Sequence, residues 1–310
     1  MKIAFHSNQL GIRGTEVALY DYALGNIEIL GNQSIIISDV NSDLTALEKF
    51  KNKFQVFLYN NFSEVEAIVE QERIDAIYYI KAGFNDGKLV QNAKNLVHAV
   101  FKHKEPHGDI YAYISEWLSN EMSNGELPYV PHMVNLPKHS LNYKDNFNVG
   151  DKIVIGWYGG DNFEIPFARQ AAIDIAKKRK DIIFLFMNQD PFCNLENVLF
   201  IEGTTNLDEK VAFINTCDFM IHARERGETF GLTIAEFSTL NKPIITYKNS
   251  PERNHNIILG NKGLYYTNYN DLYQILDNIS KKDIEDKDWN CYKEFTPEKV
   301  MNKFKEVFLR

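Results

Sequence analysis

Short apolar runs alternate with amphipathic segments of helical length along this chain, and the alternation stops once and then restarts. Residues 2–7 read as a buried strand, 8–14 as a loop, and 15–30 as a helix. Thr15 is the expected N-cap of that helix, with Val17, Leu19 or Tyr20, Ala23 and Leu24 on its apolar face. Strands are expected at 34–38, 54–59, 75–80, 96–101 and 110–114. Residues 63–73 read as a helix with a capping box from Ser63 and Glu66, and 116–123 as a short helix. Apolar strands separated by helices build a parallel sheet covered on both faces. Residues 127–150 then interrupt the pattern with Pro128, Pro131 and Pro137 among Asn and Asp residues, the composition of a linker. Beyond it, strands are expected at 152–158, 182–187, 198–202, 219–222 and 243–247, and helices at 167–178, 207–216, 269–280 and 297–308. The fold class is therefore α/β, with two doubly wound domains, and 310 residues suffice for two cores. Ligands of such sheets bind outside the carboxyl ends of the strands, so two such edges facing each other would form a cleft.

The most informative stretch follows the strand at 219–222. It runs through Arg224, Arg226, Glu228, Phe230, Gly231 and Leu232 into a helix expected at 230–240 that carries Glu236. A strand, a glycine turn and a helix start make an anion site, because the first-turn amides lack internal partners and the helix dipole favours negative charge there. A phosphate would lie near Phe230, Gly231 and Leu232, and Gly231 permits close approach of the backbone. Glu228 and Glu236 flank that point, separated by at most ~12 Å at a rise of ~1.5 Å per residue. Carboxylates accept from vicinal hydroxyls. Glu236 thus reads as a ribose clamp and Glu228 as a clamp on a sugar beyond the diphosphate. The competing reading is two solvated glutamates on an ordinary helix.

A second loop, between the first strand and first helix, holds Gly11, Arg13, Gly14 and Glu16. The glycines free the backbone, and Arg13 offers a forked phosphate ligand. A nicotinamide fingerprint with Asp39 as ribose ligand is excluded by the G-x-x-G spacing. His98 sits in an apolar strand, where a histidine is more often a satisfied core residue. His98, His103 and His107 do not suggest a metal site, because the segment is charged and interrupted by proline.

Glu228-x7-Glu236, with Phe230-Gly231-Leu232 inside it and Lys242-Pro243-Ile244-Ile245 after it, resembles the signature of retaining glycosyltransferases of family 4. The resemblance implies the GT-B fold, with Rossmann-like domains at 1–140 (acceptor side) and 141–296 (nucleotide sugar), and a final helix at 297–310 crossing back. It implies a nucleotide-diphosphate sugar as donor, a glycan or other hydroxyl acceptor, no cofactor and no catalytic metal. Gly14 and Glu16 match the family's Gly-Gly-x-Glu loop, with Arg13 in place of its first glycine. His98 corresponds to a histidine that contacts the donor sugar. The family's Arg and Lys after the first strand of the second domain are missing, since residues 159–164 are acidic. Arg13, Arg224, Arg226 and the helix start at Gly231 are the remaining candidates for holding the diphosphate.

A net charge of −8 argues against nucleic acid as a partner. The three cysteines form no CxxC, the N-terminus enters a strand at once, and no apolar run approaches 18 residues. A cytoplasmic protein without a transmembrane segment is expected. A glycosyltransferase is the leading functional expectation. The alternatives are a GT-B nucleotide-sugar epimerase and a sugar-nucleotide-binding protein without transfer activity, the latter favoured by the acidic loop.

Overall fold

The structure is a computed structural model that describes residues 1–159 and 163–310. It divides into two units, Met1–Asn135 with Glu294–Arg310, and Leu136–Lys293.

The first unit contains β1 (Lys2–Ser7), α1 (Gly14–Glu28), β2 (Gln33–Asp39), α2 (Leu47–Lys51), β3 (Gln55–Tyr59), α3 (Glu64–Glu72), β4 (Ala76–Lys81), β5 (Lys94–Ala99), β6 (Ile110–Tyr113) and α4 (Glu116–Ser123). Its strands pair in parallel in the order β3-β2-β1-β4-β5-β6. The chain winds outward from β1 in one direction, then returns to its other side with β4. The reversal leaves a crevice at the carboxyl ends of β1 and β4, where the loop at residues 8–13 begins.

Two local expectations for this unit are corrected. α1 is capped by Arg13, and the Thr15 hydroxyl instead donates to Glu16 at 2.6 Å. Its buried face includes Leu19 and Ala23 as expected, with Ala18 and Tyr22 beside them, whereas Val17, Tyr20 and Leu24 are half-buried. Ser63 caps α3 without a side-chain bond, and Glu66 accepts from the Gln91 and Asn92 amides at 2.8 Å rather than closing a capping box.

The second unit contains β7 (Ile153–Tyr158), α5 (Pro166–Lys178), β8 (Ile182–Met187), β9 (Val198–Ile201), α6 (Leu207–Thr216), β10 (Phe219–His222), β11 (Gly227–Glu228), α7 (Leu232–Thr239), β12 (Ile244–Tyr247), β13 (Glu252–Arg253), α8 (Asn254–Leu259), β14 (Leu264–Tyr266) and α9 (Tyr269–Asn278). The large parallel sheet has the order β14-β12-β10-β7-β8-β9, and β11 pairs with β13 beside it. The reversal here falls between β7 and β10, so the loop from β10 into α7 starts at the switch point of the sheet. β7 and β8 are buried along their whole lengths, as strands covered on both faces must be. The last helix, α10 (Pro297–Phe308), belongs to the first unit and lays Phe304 and Phe308 against Tyr78.

Candidate functional site

β10 ends on His222, and the nine residues after it turn back before α7 begins. The Ala223 carbonyl accepts from the amides of Glu164 and Ile165 at 2.9 and 3.2 Å, which ties the start of this loop down. The middle of the loop pairs as β11 with β13, setting Gly227 opposite Glu252 and Glu228 opposite Arg253. Gly227 has φ of +78°, and a Cβ there would lie 2.0 Å from the Glu252 carbonyl oxygen. No other residue fits this position.

This backbone path presents Glu228 to two donors. Arg224 Nη1 donates to Oε2 at 3.0 Å, and the His222 ring contacts Oε1 through Nε2 at 3.4 Å. Burial pushes the Glu228 carboxyl up, but the His222 hydrogen bond and the Arg224 charge outweigh it and hold the group at about 2. The site thus contains a fixed negative charge at neutral pH, with its side chain 21% exposed. On the far side of His222, Nδ1 meets the Thr246 hydroxyl at 2.9 Å, because β10 and β12 place these two residues in direct register.

α7 starts at Leu232, two residues later than the sequence pattern suggests, with Gly231 as its N-cap at φ of +88°. No side chain caps that end of the helix among the described residues, so its first-turn amides lack a side-chain cap. Phe230 itself is buried, with its ring against Tyr292 and its carbonyl accepting from Tyr292 Oη and Asn254 Nδ2. The Phe230 side chain therefore lies in the core, and Leu232 is half-buried at the start of the helix.

Glu236 is not available as a ribose clamp. It is 3% exposed, with Lys210 Nζ donating to Oε1 at 3.0 Å and the Tyr158 hydroxyl donating to Oε2. The turn of α7 that carries it faces α6 and the end of β7. Arg226 pairs with Glu252 rather than standing free for a diphosphate, and Arg224 is engaged with Glu228.

In the first unit, Arg13 and Gly14 are exposed at the start of α1, beside the switch point of that sheet. Gly11 is buried against Asp43, and Glu16 is buried with Ser7, Gln9 and Thr15 donating to it. Burial raises the Glu16 carboxyl despite those bonds. Arg13 and Gly14 are thus open to solvent, whereas Gly11 and Glu16 shape the loop beneath them. The expectation that His98 contacts a sugar is corrected. Its ring is fully buried, Nδ1 bonds the Tyr78 hydroxyl at 2.6 Å, and Nε2 bonds the Val130 carbonyl at 2.9 Å. Burial lowers it to about 4, so it is a neutral core histidine with both nitrogens occupied.

Sequence reasoning missed His222, Thr246 and His255. His255 packs its ring 5.0 Å from that of His222 and is fully buried; neither of its ring nitrogens has a partner among the described residues. The available signal was a polar residue closing each of two apolar strands at the carboxyl edge, His222 on β10 and Thr246 near the end of β12. Among the described residues, no three His, Cys, Asp or Glu side chains come together to hold a metal, and no helix is long and apolar enough to cross a membrane.

No family model and no curated protein matches this chain. Solved structures do resemble it over nearly its full length. A glycosyltransferase from Rickettsia africae ESF-5 is 16% identical, with 98% of this chain and 94% of that one covered at a TM-score of 0.67. Anabaena HepE in complex with UDP-glucose is 14% identical, with coverage of 99% and 95% and a TM-score of 0.64. A Listeria monocytogenes protein assigned as a UDP-N-acetylglucosamine 2-epimerase is 15% identical, with coverage of 99% and 96% and a TM-score of 0.62. The likeness is one of fold, and with two Rossmann-like parallel sheets the chain has the GT-B fold.

Proposed function

We propose that this protein is a retaining glycosyltransferase, of the kind grouped in family 4, that moves a sugar from a nucleotide-diphosphate sugar to a hydroxyl acceptor without a metal. The observation that carries this reading is Glu228, held by Arg224 and His222 beside the start of α7, at the switch point of the second unit. In the reaction, the bond from the anomeric carbon to the diphosphate breaks as the acceptor oxygen bonds to the same face of that carbon. The acceptor proton passes to the leaving phosphate. The α7 amides receive the charge that develops on the diphosphate. Glu228 accepts from sugar hydroxyls, and its charge faces the positive charge developing at the anomeric carbon. Arg224 holds the carboxylate in place while this happens. Arg13 is the first unit's candidate phosphate ligand. Synthesis of a glycan in the cytoplasm is the setting that this chemistry implies.

UDP-sugars are the first donors to test, because HepE with this fold holds UDP-glucose. Thermal unfolding is measured with UDP, UDP-glucose and UDP-N-acetylglucosamine, and then with other nucleotide sugars. Binding to the native state alone adds about 2.7 kcal/mol at a hundredfold excess over Kd. The expected result is a rise in Tm with one donor and slow hydrolysis of that donor. Glu228→Gln should lower turnover at least tenfold, because a charged hydrogen bond contributes about 1.5–3 kcal/mol. Normal turnover by that variant removes Glu228 from the reaction. A shift in Tm without turnover selects the sugar-nucleotide-binding alternative.

One observation favours an epimerase instead. Glu228 and His222 form a carboxylate–imidazole pair, the kind of acid–base couple that epimerisation requires. Conversion of a nucleotide sugar to its epimer with no acceptor present would select that reading.

A further inference from the structure

We propose that His222, as the tautomer carrying hydrogen on Nε2, is the residue that positions Glu228, and that the Thr246 hydroxyl sets this tautomer. The inference rests on the transferase reading of the same site and extends it to two residues that never touch the donor. The chain of contacts runs in one direction. An ionised carboxylate only accepts, so the 3.4 Å contact with Glu228 requires hydrogen on Nε2. In the tautomer proposed here Nδ1 is the acceptor, and the Thr246 hydroxyl, 2.9 Å away, is placed to donate to it. The parallel register of β10 with β12 places His222 opposite Thr246, so the arrangement is built into the sheet rather than into a loop. The ring cannot swing away. It is fully buried, with Trp157 at 5.4 Å between ring centroids and His255 at 5.0 Å. His255 is itself lowered to about 3, chiefly by burial, so it stays neutral beside the carboxylate. Arg224 reaches Glu228 from the loop that follows β10, whereas His222 reaches it from the end of a buried strand. The strand therefore fixes where the carboxylate stands, which matters because misplacement of a reacting group by about 1 Å can cost a hundredfold in rate.

The test compares three variants. Glutamine places an amide N–H near the position of Nε2, and leucine does not. His222→Leu should lower kcat for hydrolysis or transfer with UDP-glucose or UDP-N-acetylglucosamine at least tenfold, with donor KM changed less than about threefold. His222→Gln should recover most of that loss. Thr246→Val is nearly isosteric and removes only the hydroxyl; it should lower kcat severalfold. A spectroscopic readout stands apart from activity. Nitrogen-15 NMR of the histidine rings, with the His222 signal identified by its loss in His222→Gln, should show the Nε2–H tautomer in the wild-type chain. In Thr246→Val a Nδ1–H population should appear. Equal activity of the Leu and Gln variants overturns the proposal, as does a Nδ1–H tautomer in the wild-type chain. If the wild-type chain turns over no nucleotide sugar, the transferase reading fails by itself, and the tautomer measurement still decides the role of His222.

Discussion

Glu228 shows how one side chain gains a task from its neighbours. An isolated carboxylate in this loop would titrate near 4.5, whereas the His222 and Arg224 contacts, acting against burial, hold it at about 2. A depression of that size corresponds to folding free energy on the order of 3 kcal/mol. Because the folded pKa lies below the unfolded one, this stabilisation is complete above pH 4.5 and is lost as pH falls toward 2. Glu228→Gln should therefore unfold at lower urea than the wild-type chain at pH 6, and the difference should shrink as pH falls from 4.5 to 3. A difference that stays constant across that range would show that the carboxylate is not held ionised by its neighbours. Glu228 was legible in the sequence because its signal is local, with a glycine turn and a helix start within four residues of it. His98 and Glu236 were misread for the opposite reason. What decides their roles is whether their polar atoms are already satisfied, and the groups that satisfy them come from distant segments: Val130 for His98, and Tyr158 and Lys210 for Glu236.

At the scale of elements, the entry into α7 depends on two glycines in the left-handed region and on one buried ion pair. Gly227→Ala would force a Cβ into the Glu252 carbonyl and should cost well over the ~1 kcal/mol of a simple left-handed alanine. By contrast, a Cβ on Gly14 at the first position of α1 meets nothing within 4 Å. Gly14→Ala should hold or raise stability by up to about 1 kcal/mol, and any rise in donor KM it causes would report ligand contact there. Chemical denaturation of the two variants checks the contrast, and comparable losses would refute it. The Lys210–Glu236 pair joins α6 to α7, and Lys210→Met should destabilise by about 3–5 kcal/mol by leaving a buried carboxylate without its cation. Adding Glu236→Gln should recover part of that loss, and a purely additive double variant would show that the pair is not coupled. Strands and long helices were legible from their apolar periodicity. β11, β13 and α8 were not, because two-residue pairings and a six-residue helix leave no period to read, and they are the elements that set Glu228 and His255 in place.

Across the whole molecule, the chain completes its first unit only at its end. The first unit is assembled from residues 1–135 and 294–310, so α10 must join a sheet whose last strand was made some 180 residues earlier. The alternation of apolar runs revealed the first sheet and five of the six strands of the second, because parallel strands buried on two faces are mostly apolar, whereas the three-residue β14 is too short to stand out. The return of α10 to the first unit was expected from the family resemblance, but the side chains it covers were not, since its amphipathic pattern says only that one face is covered. The structure supplies the answer: Phe304 is fully buried, with ring centroids 5.4 Å from Tyr22, 5.4 Å from Tyr78 and 6.3 Å from Phe5. These rings come from α1, β4 and β1, and the loop of Arg13 and Gly14 joins two of these elements, β1 and α1. Phe304→Ala should therefore destabilise the first unit by about 3–5 kcal/mol through lost burial and the cavity left behind. Hydrogen exchange followed by mass spectrometry is the suitable probe, since it reports each element separately. Peptides covering β1, α1, β4 and α10 should lose protection together in the variant, because one shared ring cluster joins them. Faster exchange confined to α10 would mean that the helix is a peripheral cover, and that the sheet bearing the Arg13 loop is stable without it.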